Sequence, residues 1–432
     1  MKDNYANVAN HLSIRGIVIW LICAFFFLYE FFLRTVLGTL QVSIMQDLNL
    51  SAVQFAIISS TTYQVTYSLM QFPVGIIASR YGLKHTLLFA AGLCAIANFG
   101  FSVSSSYEVA IFFRALMGIG SSFGFVCLLL AVYDWLPRKN IAFFIGLSQF
   151  VGTLGPMLAA GPLSTLVTTG AAEWRVLFFS LALIGVLLAI LILIFVAKNR
   201  TPIDGRYILT KSTSLFTNLR ELLSQKQIWW IGFYSSSVYF SLEYLSENEG
   251  LRFLFTKGFS ANFSAYFITV SWLGYAIGCP ILGYLSDKLN QRKPIMIFSV
   301  TLVLISLTAI IYLPLSSFLM LSAFLLLGIG ASGQSIGFAI ISEYCQASYL
   351  TLGLAFNNTM IMFFGALSAP LIGILLESKI NDYSLLGNYQ ANFSIMIIFI
   401  LFGLLLSLLL IRETFCKQVS EMTILNPKSI ST

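Results

Sequence analysis

The sequence predicts an all-α polytopic membrane protein, with twelve transmembrane helices in two pseudo-symmetric six-helix bundles. Three observations carry that prediction: the composition, the placement of basic residues and an internal repeat. Of the 432 residues, 58% are hydrophobic and only 9% are charged, and the mean hydropathy is +0.88. A soluble domain carries about 25% charged residues, so this chain has too little charge to coat a water-facing surface. A disordered chain and a collagen-like chain are excluded on the same grounds. A spanning helix needs about 20 apolar residues, and twelve of them with short loops leave no room for a large soluble domain. The 39 Phe and 31 Gly against 10 Pro suit packed membrane helices.

The hydrophobic runs place the spans in order. Span one, about 17–40, follows some 15 polar residues and is long enough to cross, so it reads as a retained helix and not a cleaved signal. Span two, about 54–79, carries Ser59, Ser60, Thr61, Thr62, Tyr63, Gln64, Thr66, Tyr67, Ser68 and Gln71; it is too polar to face lipid all round. Spans three and four fall at about 84–104 and 108–134, the latter holding Arg114 and closing on Asp134. Spans five and six, about 140–163 and 174–197, bear Gln149 and Gly155-Pro156, and follow Glu173-Trp174-Arg175, respectively. Spans seven to twelve lie at about 228–250, 261–285, 294–313, 316–341, 351–376 and 390–412. The organisation is an N-terminal six-helix bundle (1–197), a basic linker (198–227), a C-terminal bundle (228–412) and a polar, loose tail (413–432).

Basic residues orient the chain. With both termini and the linker on one side, 18 of the 24 Lys and Arg collect there, six of them in the linker; only Arg175, Arg252, Lys257 and Lys379 fall opposite. That side is the cytoplasm. The pI near 9 therefore reflects membrane topology and not nucleic-acid binding.

The halves repeat. Gly75-Ile-Ile-Ala-Ser-Arg80-Tyr-Gly82-Leu-Lys84 recurs 208 residues later as Gly283-Tyr-Leu-Ser-Asp287-Lys288-Leu-Asn-Gln-Arg292-Lys293. Gly118-Ile-Gly120 recurs as Gly328-Ile-Gly330, Asp134 as Glu343 and Pro156 as Pro370, at separations of 210, 209 and 214. A parallel repeat of six spans is the plan of a transporter.

Motifs of other classes are missing. The sequence has no Gly-rich phosphate loop, no Ser-His-Asp set and no His/Cys metal cluster. His11 and His85 lie outside the apolar runs, and the six scattered Cys read as small core hydrophobes. No enzyme activity, cofactor or metal is expected; the partners are a small-molecule substrate, protons and the lipid bilayer, with the chain a monomer.

On these residues the chain resembles the major facilitator superfamily over essentially its whole length. The loop 283–293 is similar to the family's G-x-L-x-D-K/R-x-x-x-R/K signature, and Arg114, Gly118 and Gly120 resemble its R-x-x-x-G-x-G element. The copy at 75–84 departs, with Ser79 in place of the signature Asp, and Gly155-Pro156-Met-Leu-Ala159-Ala160 departs from the G-P-x-x-G-G of drug antiporters. The resemblance implies two bundles around a central cavity, alternating access, and cytoplasmic latches built from Arg80, Lys84, Asp134, Asp287, Arg292 and Glu343. Asp287 is expected to cap a neighbouring helix N-terminus and pair with an arginine, and Asp134 to serve as acidic partner for Arg80 or Lys84. The string from Tyr29 to Arg34 resembles phagosomal nutrient facilitators of intracellular gammaproteobacteria, which implies a bacterial inner membrane and amino acid, nucleoside or carboxylate-siderophore cargo.

Ionisable residues inside a span cost about 2.5–3.5 kcal/mol on insertion scales. Glu30 and Arg34 share a face of span one at i and i+4, as do Glu243 and Glu247 in span seven; an offset of 213 superposes the two pairs. In the resembling family these spans line the cavity, so three carboxylates and one guanidinium form the expected site. Arg34 can grip a carboxylate or phosphate, and three close carboxylates cannot all stay ionised, which makes Glu30 and Glu243, with Arg114, the candidate proton-coupling groups. The alternative is structural pairing of Arg34 with Glu30 or Glu247, with Glu247 and Glu249 as solvated rim residues; Arg114 is open between coupling and helix packing. Tyr29, Tyr63, Tyr67, Tyr239, Trp272, Gln64, Gln149, Gln334, Asn357 and Asn358 complete the candidate substrate site. The function this supports is proton-coupled import of a small zwitterionic or carboxylate-bearing nutrient, with uptake of a citrate-type siderophore and proton-driven efflux as alternatives.

Overall fold

The structure is a computed structural model and describes residues 13–136, 141–170, 173–196, 215–346, 350–377 and 384–417. All regular elements among the described residues are helical. Span one is Ile14–Thr39, with Ser13 accepting the Gly16 N–H as its N-cap. After the short helix Gln41–Asp47, span two starts as Ala52–Ala56, passes through a π-helical turn at Ile57–Thr61 and continues into Thr62–Ser102. Gly82, at φ 73°, interrupts that element and separates span two from span three. Span four is split into Tyr107–Ser121 and Gly124–Trp135, and span five into Ile141–Ala159 and Gly161–Thr168; span six is Trp174–Phe195. Span seven is Lys226–Glu247, followed by the short helix Gly250–Thr256. Spans eight and nine are Ala261–Leu289 and Lys293–Tyr312. Span ten is split into Ser317–Ala331 and Gln334–Tyr344, span eleven is Leu350–Glu377, and span twelve is Leu385–Leu405 with a π turn at Leu406–Leu410.

The repeat is written into the backbone. Ser51 and Ser260 cap spans two and eight, and Ser106 and Ser316 cap spans four and ten. The turns ahead of spans two and eight hold left-handed residues at Asn49 (φ 49°) and Gly258 (φ 91°), and those at their ends at Gly82 and Asn290 (φ 49°). Spans four and ten break at the same place. At Gly118 an added Cβ would overlap the Tyr63 carbonyl of span two; at Gly328 it would overlap the Ser271 carbonyl of span eight. Each half thus uses a glycine to bring backbones together at one crossing.

Among the described residues, ten helices are long and apolar enough to cross a membrane. The two others are spans two and seven, whose serines, glutamines and glutamates depress their hydropathy. Those groups face inward: Ser59, Ser60, Gln64, Ser235, Ser236, Ser237, Ser241, Glu243 and Glu247 are all buried. The lipid-facing stripe of span six, with Leu183, Leu187, Ile190 and Ile194 exposed, is apolar.

The chain divides into two compact units. Unit 1 is Met1–Tyr207 together with Ser246–Leu251, and unit 2 is Ile208–Leu245 with Arg252–Thr432. Most of the 198–227 linker lies outside the described residues, but its second part forms the helix Leu215–Ser224. The tail differs from the loose segment expected. Residues Glu413 to Cys416 are bonded to the start of span nine, to Glu343 and to Ser286, because a carboxylate, a hydroxyl and a thiol there find polar partners; residues beyond 417 lie outside the described part. The six cysteines form no disulfide, and Cys23, Cys94, Cys127 and Cys345 are buried.

Candidate functional site

Unit 1 contains a buried polar cluster made by span one, span two and the segment Ser246–Leu251. Gly38 permits it, since a Cβ there would overlap the Ser246 carbonyl. Span seven ends at Glu247, and residues 248–249 turn before Gly250–Thr256 begins. Arg34 Nε donates to Glu247 Oε1 at 2.8 Å. The other oxygen, Oε2, accepts from Gln64 Nε2 at 2.9 Å and from the Ser60 hydroxyl at 3.4 Å. Asn248 sits between two serines: Ser59 donates to its Oδ1 at 2.6 Å, and its Nδ2 donates to Ser60 Oγ at 2.7 Å. Gln41 Nε2 donates to Glu249 Oε1 at 2.5 Å.

This geometry overturns the rim reading of Glu247 and Glu249, which are 0% and 3% exposed. The cause is local: the segment lies beneath Gly38 and its side chains bond to the serines of the π turn. Arg34 pairs with Glu247, the position 213 residues on, and its guanidinium lies 5.0 Å from the Phe31 ring centroid. A buried ion pair is retained only where further bonds satisfy its remaining groups, and Gln64 and Ser60 do so here. Glu30, one turn earlier, is buried against Gly124. Tyr63 donates its hydroxyl to the Glu30 carbonyl at 3.0 Å and lies 3.4 Å from Glu30 Oε2.

Arg114 bonds to the backbone of neighbouring helices. Its guanidinium is fully buried and donates to four backbone carbonyls: Leu33 at 2.7 Å and Arg34 at 2.9 Å in span one, Ile58 at 3.1 Å and Ser59 at 2.9 Å in the π turn. It also lies 4.4 Å from the Tyr63 ring centroid. A π turn leaves carbonyls out of the α-helical ladder, and this arginine collects them, fixing the turn that presents Ser59 and Ser60.

In unit 2, Tyr239, Trp272 and Tyr275 meet edge to face, with centroids 5.6–6.1 Å apart. Gln334 Nε2 donates to the Tyr275 hydroxyl at 2.5 Å, while Gln334 Oε1 and both amide atoms of Asn357 are buried without hydrogen-bond partners. Glu243 is buried in this unit, and Asn358 is half-buried. Tyr275 was not singled out from the sequence, although the 208-residue repeat maps it onto Tyr67; Tyr67 itself stacks on Tyr63 at 6.2 Å. Asn248 and Gln41 were also missed; the polar run Ser246-Glu-Asn-Glu249 was their signal.

Other candidates lie apart from these two clusters. The Tyr29 hydroxyl donates to the Leu181 carbonyl at 2.9 Å and accepts from Asn98 at 3.0 Å, which places it among spans three and six. Gln149 is half-buried, and its carbonyl accepts from Thr153. At the end of span eight, Arg292 donates to Asp287 at 2.6 Å, Glu343 at 2.7 Å and Ser286 at 2.9 Å. Burial opposes that charge, but Glu343 and Asp287 outweigh it and hold the Arg292 pKa above its ordinary value. Asp287 pairs with an arginine as expected. The cap of span nine, however, is Glu413, whose carboxylate accepts the Arg292 and Lys293 backbone N–H groups at 2.8 Å each. The reason is reach: Asp287 is held by Arg292, while the tail brings a second carboxylate to the helix start. In unit 1, Lys84 donates to the Leu193 carbonyl near the end of span six at 2.7 Å, and Arg80 lies 5.6 Å from the Tyr81 ring centroid. Asp134 is half-buried at the end of span four. Among the described residues no three His, Cys, Asp or Glu side chains are grouped to hold a metal.

The Major Facilitator Superfamily model matches residues 20–260 and 253–420. The chain is 26% identical over 287 residues to the hexuronate transporter of Bacillus subtilis, covering 63% of this chain and 65% of that one. It is 24% identical over 312 residues to the phosphoglycerate transporter protein of Salmonella typhimurium, covering 65% of each. The matches thus span just under two thirds of these relatives' own lengths. A crystal structure of a bacterial homolog of the human lysosomal transporter Spinster, in an inward-facing and unoccupied conformation, superposes with a TM-score of 0.71 at 14% identity, covering 94% of this chain and 97% of that one; that likeness is one of fold. With a family match over most of its length and a doubled six-span helical fold, the chain belongs to the major facilitator superfamily and is a secondary transporter, not an enzyme.

Proposed function

We propose that this transporter carries out proton-coupled import of a small carboxylate-bearing metabolite across a bacterial inner membrane, with both termini in the cytoplasm and the halves 1–197 and 228–412 alternating as a monomer. The observation that carries the reading is the buried Arg34–Glu247 pair at 2.8 Å. A planar guanidinium suits a carboxylate, and Glu247 holds it in the absence of cargo. A proton on Glu247 weakens that hold, and the substrate carboxylate takes the freed donors; one proton and one anion then move together. The names of two relatives, a hexuronate and a phosphoglycerate transporter, denote small carboxylate-bearing anions and support this class. Arg292 with Asp287 and Glu343, and Lys84, Arg80 and Asp134 in the other half, act as the cytoplasmic latches.

The test is uptake into proteoliposomes under an imposed pH gradient, with glucuronate, 3-phosphoglycerate, amino acids and citrate as probes. Gradient-dependent uptake of a carboxylate that falls about 100-fold in Arg34→Ala is expected, the size that loss of a buried charged partner gives. Uptake undiminished in that variant overturns the clamp; transport confined to citrate and its iron complex replaces the cargo class; and outward movement on acidification of the outside reverses the direction.

A further inference from the structure

Two glutamine amides in unit 1 share one unusual arrangement. Gln64 Nε2 donates to Glu247 at 2.9 Å, and Gln41 Nε2 donates to Glu249 at 2.5 Å. Both side chains are buried, at 0% and 1% exposure, and in both the carbonyl Oε1 has no hydrogen-bond partner. Against an ionised carboxylate an amide can use only its N–H, since the carboxylate has no proton to give. Leaving a buried amide carbonyl without a donor is unfavourable. Against a protonated carboxyl the same amide is satisfied twice, its N–H donating to the C=O and its carbonyl accepting the carboxyl O–H. The orphaned acceptors therefore mark a state of the site in which the carboxyls carry protons.

We propose that Glu247 with Gln64, and Glu249 with Gln41, are two proton-binding sites, in which each glutamine is the acceptor for the carboxyl proton. The step is simple protonation: a proton from water adds to a carboxylate oxygen, and its O–H then donates to the glutamine carbonyl. At Glu247 a proton directed toward Gln64 leaves the bond from Arg34 with a weaker acceptor. Other charged groups act on Glu247 as well: Arg34 from span one and Arg114 from span four. The inference deepens the proton-coupled reading by naming where protons bind, and adds Glu249, which the substrate clamp does not use.

The experiment is pH-dependent infrared difference spectroscopy of the purified full chain in lipid nanodiscs, with no substrate present. Carboxyl bands that form on acidification should vanish in Glu247→Gln and Glu249→Gln respectively. In Gln64→Met and Gln41→Met, which keep side-chain length, the corresponding band should reach half intensity about one pH unit lower, because the acid loses its acceptor. A glutamine that merely donates to a carboxylate gives the opposite sign, so an upward or absent shift overturns the proposal. If the methionine variants do not fold, the parent protein still decides: absence of an acidification band assignable to either glutamate also overturns it. Bands that titrate as expected, with uptake insensitive to Arg34, would leave these sites standing and sink the clamp; Arg34-dependent uptake without the bands would do the reverse.

Discussion

In unit 1, one turn before the Gly118 crossing, Arg114 binds the Ile58 and Ser59 carbonyls of a π turn; in unit 2, before the Gly328 crossing, Phe324 stacks on Phe267 at 5.8 Å and 19°. The repeat maps Arg114 onto Phe324 and Ser59 onto Phe267. The crossings are built alike, yet span eight is α-helical throughout Ala261–Leu289, while span two is π-helical at Ile57–Thr61. At the α-helical crossing an aromatic pair fills the space. At the π turn two carbonyls leave the helical ladder, and Arg114 bonds to them together with the Leu33 and Arg34 carbonyls of span one. The difference marks the half in which the backbone is bent to present polar groups, and it is the half that holds the Arg34 cluster.

The largest expected effect breaks that contrast directly. Arg114→Met strips hydrogen bonds from four buried carbonyls and should lower unfolding free energy by about 4 kcal/mol. Phe324→Leu, a change of apolar shape, should cost about 1 kcal/mol. Denaturant unfolding of the two purified variants measures both; equal losses would mean that Arg114 is filling space and not bracketing a turn.

Arg34→Met comes next. It strands Glu247 in the interior and should destabilise by about 3 kcal/mol, and Glu247→Leu in the same chain should recover most of that loss, because a buried pair replaced on both sides is close to neutral. The double-mutant cycle distinguishes a paired charge from independent packing: additive losses would dissolve the cluster into unrelated contacts.

A smaller effect compares the latches. Glu413→Ala removes the carboxylate that accepts the Arg292 and Lys293 N–H groups at the start of span nine and should cost about 1 kcal/mol. Lys84→Met removes a bond to a carbonyl near the end of span six from a more exposed position and should cost about 0.3 kcal/mol. If both variants lose equally, the tail contributes nothing beyond an ordinary surface contact.

How far the sequence reaches depends on the kind of feature. Helical runs, topology and the repeat follow from hydrophobic periodicity and from markers such as Gly118 and Gly328, which sterics force. Glu30, Arg34, Glu243 and Glu247 stand out because charge is costly in an apolar span. The partner of Arg34 was open, since Glu30 and Glu247 were both eligible and the choice depends on where the chain turns after Glu247. The role of Arg114 is open for a related reason: a π turn has no distinct sequence pattern, so the Ile58 and Ser59 carbonyls that it offers to a guanidinium are invisible until the backbone is seen. Glu413 falls in a segment whose docking the sequence does not show, because the four residues Glu413–Cys416 are too few to carry a periodicity.

The weakest asymmetry sits at the opposite ends of spans two and eight, in the turns that hold Asn49 and Gly258. Before Gly258 stands Lys257, which the repeat maps onto Leu48. Its ammonium donates to the Leu313 carbonyl at 2.9 Å and lies 5.5 Å from the Phe253 ring centroid. Burial pushes its pKa down to about 8. A lysine in an unfolded chain titrates near 10.4, so between about pH 8 and 10.4 the unfolded chain holds a proton that the folded chain has released. Stability should therefore rise with pH across that window. Lys257 is only half-buried, so screening reduces the gain to about 0.5 kcal/mol. In Lys257→Met, which carries an uncharged side chain as Leu48 does, the rise should flatten by that amount in unfolding curves taken at pH 7.5 and 9.5. An unchanged slope would assign the titration to other groups and leave the two turns electrostatically equivalent.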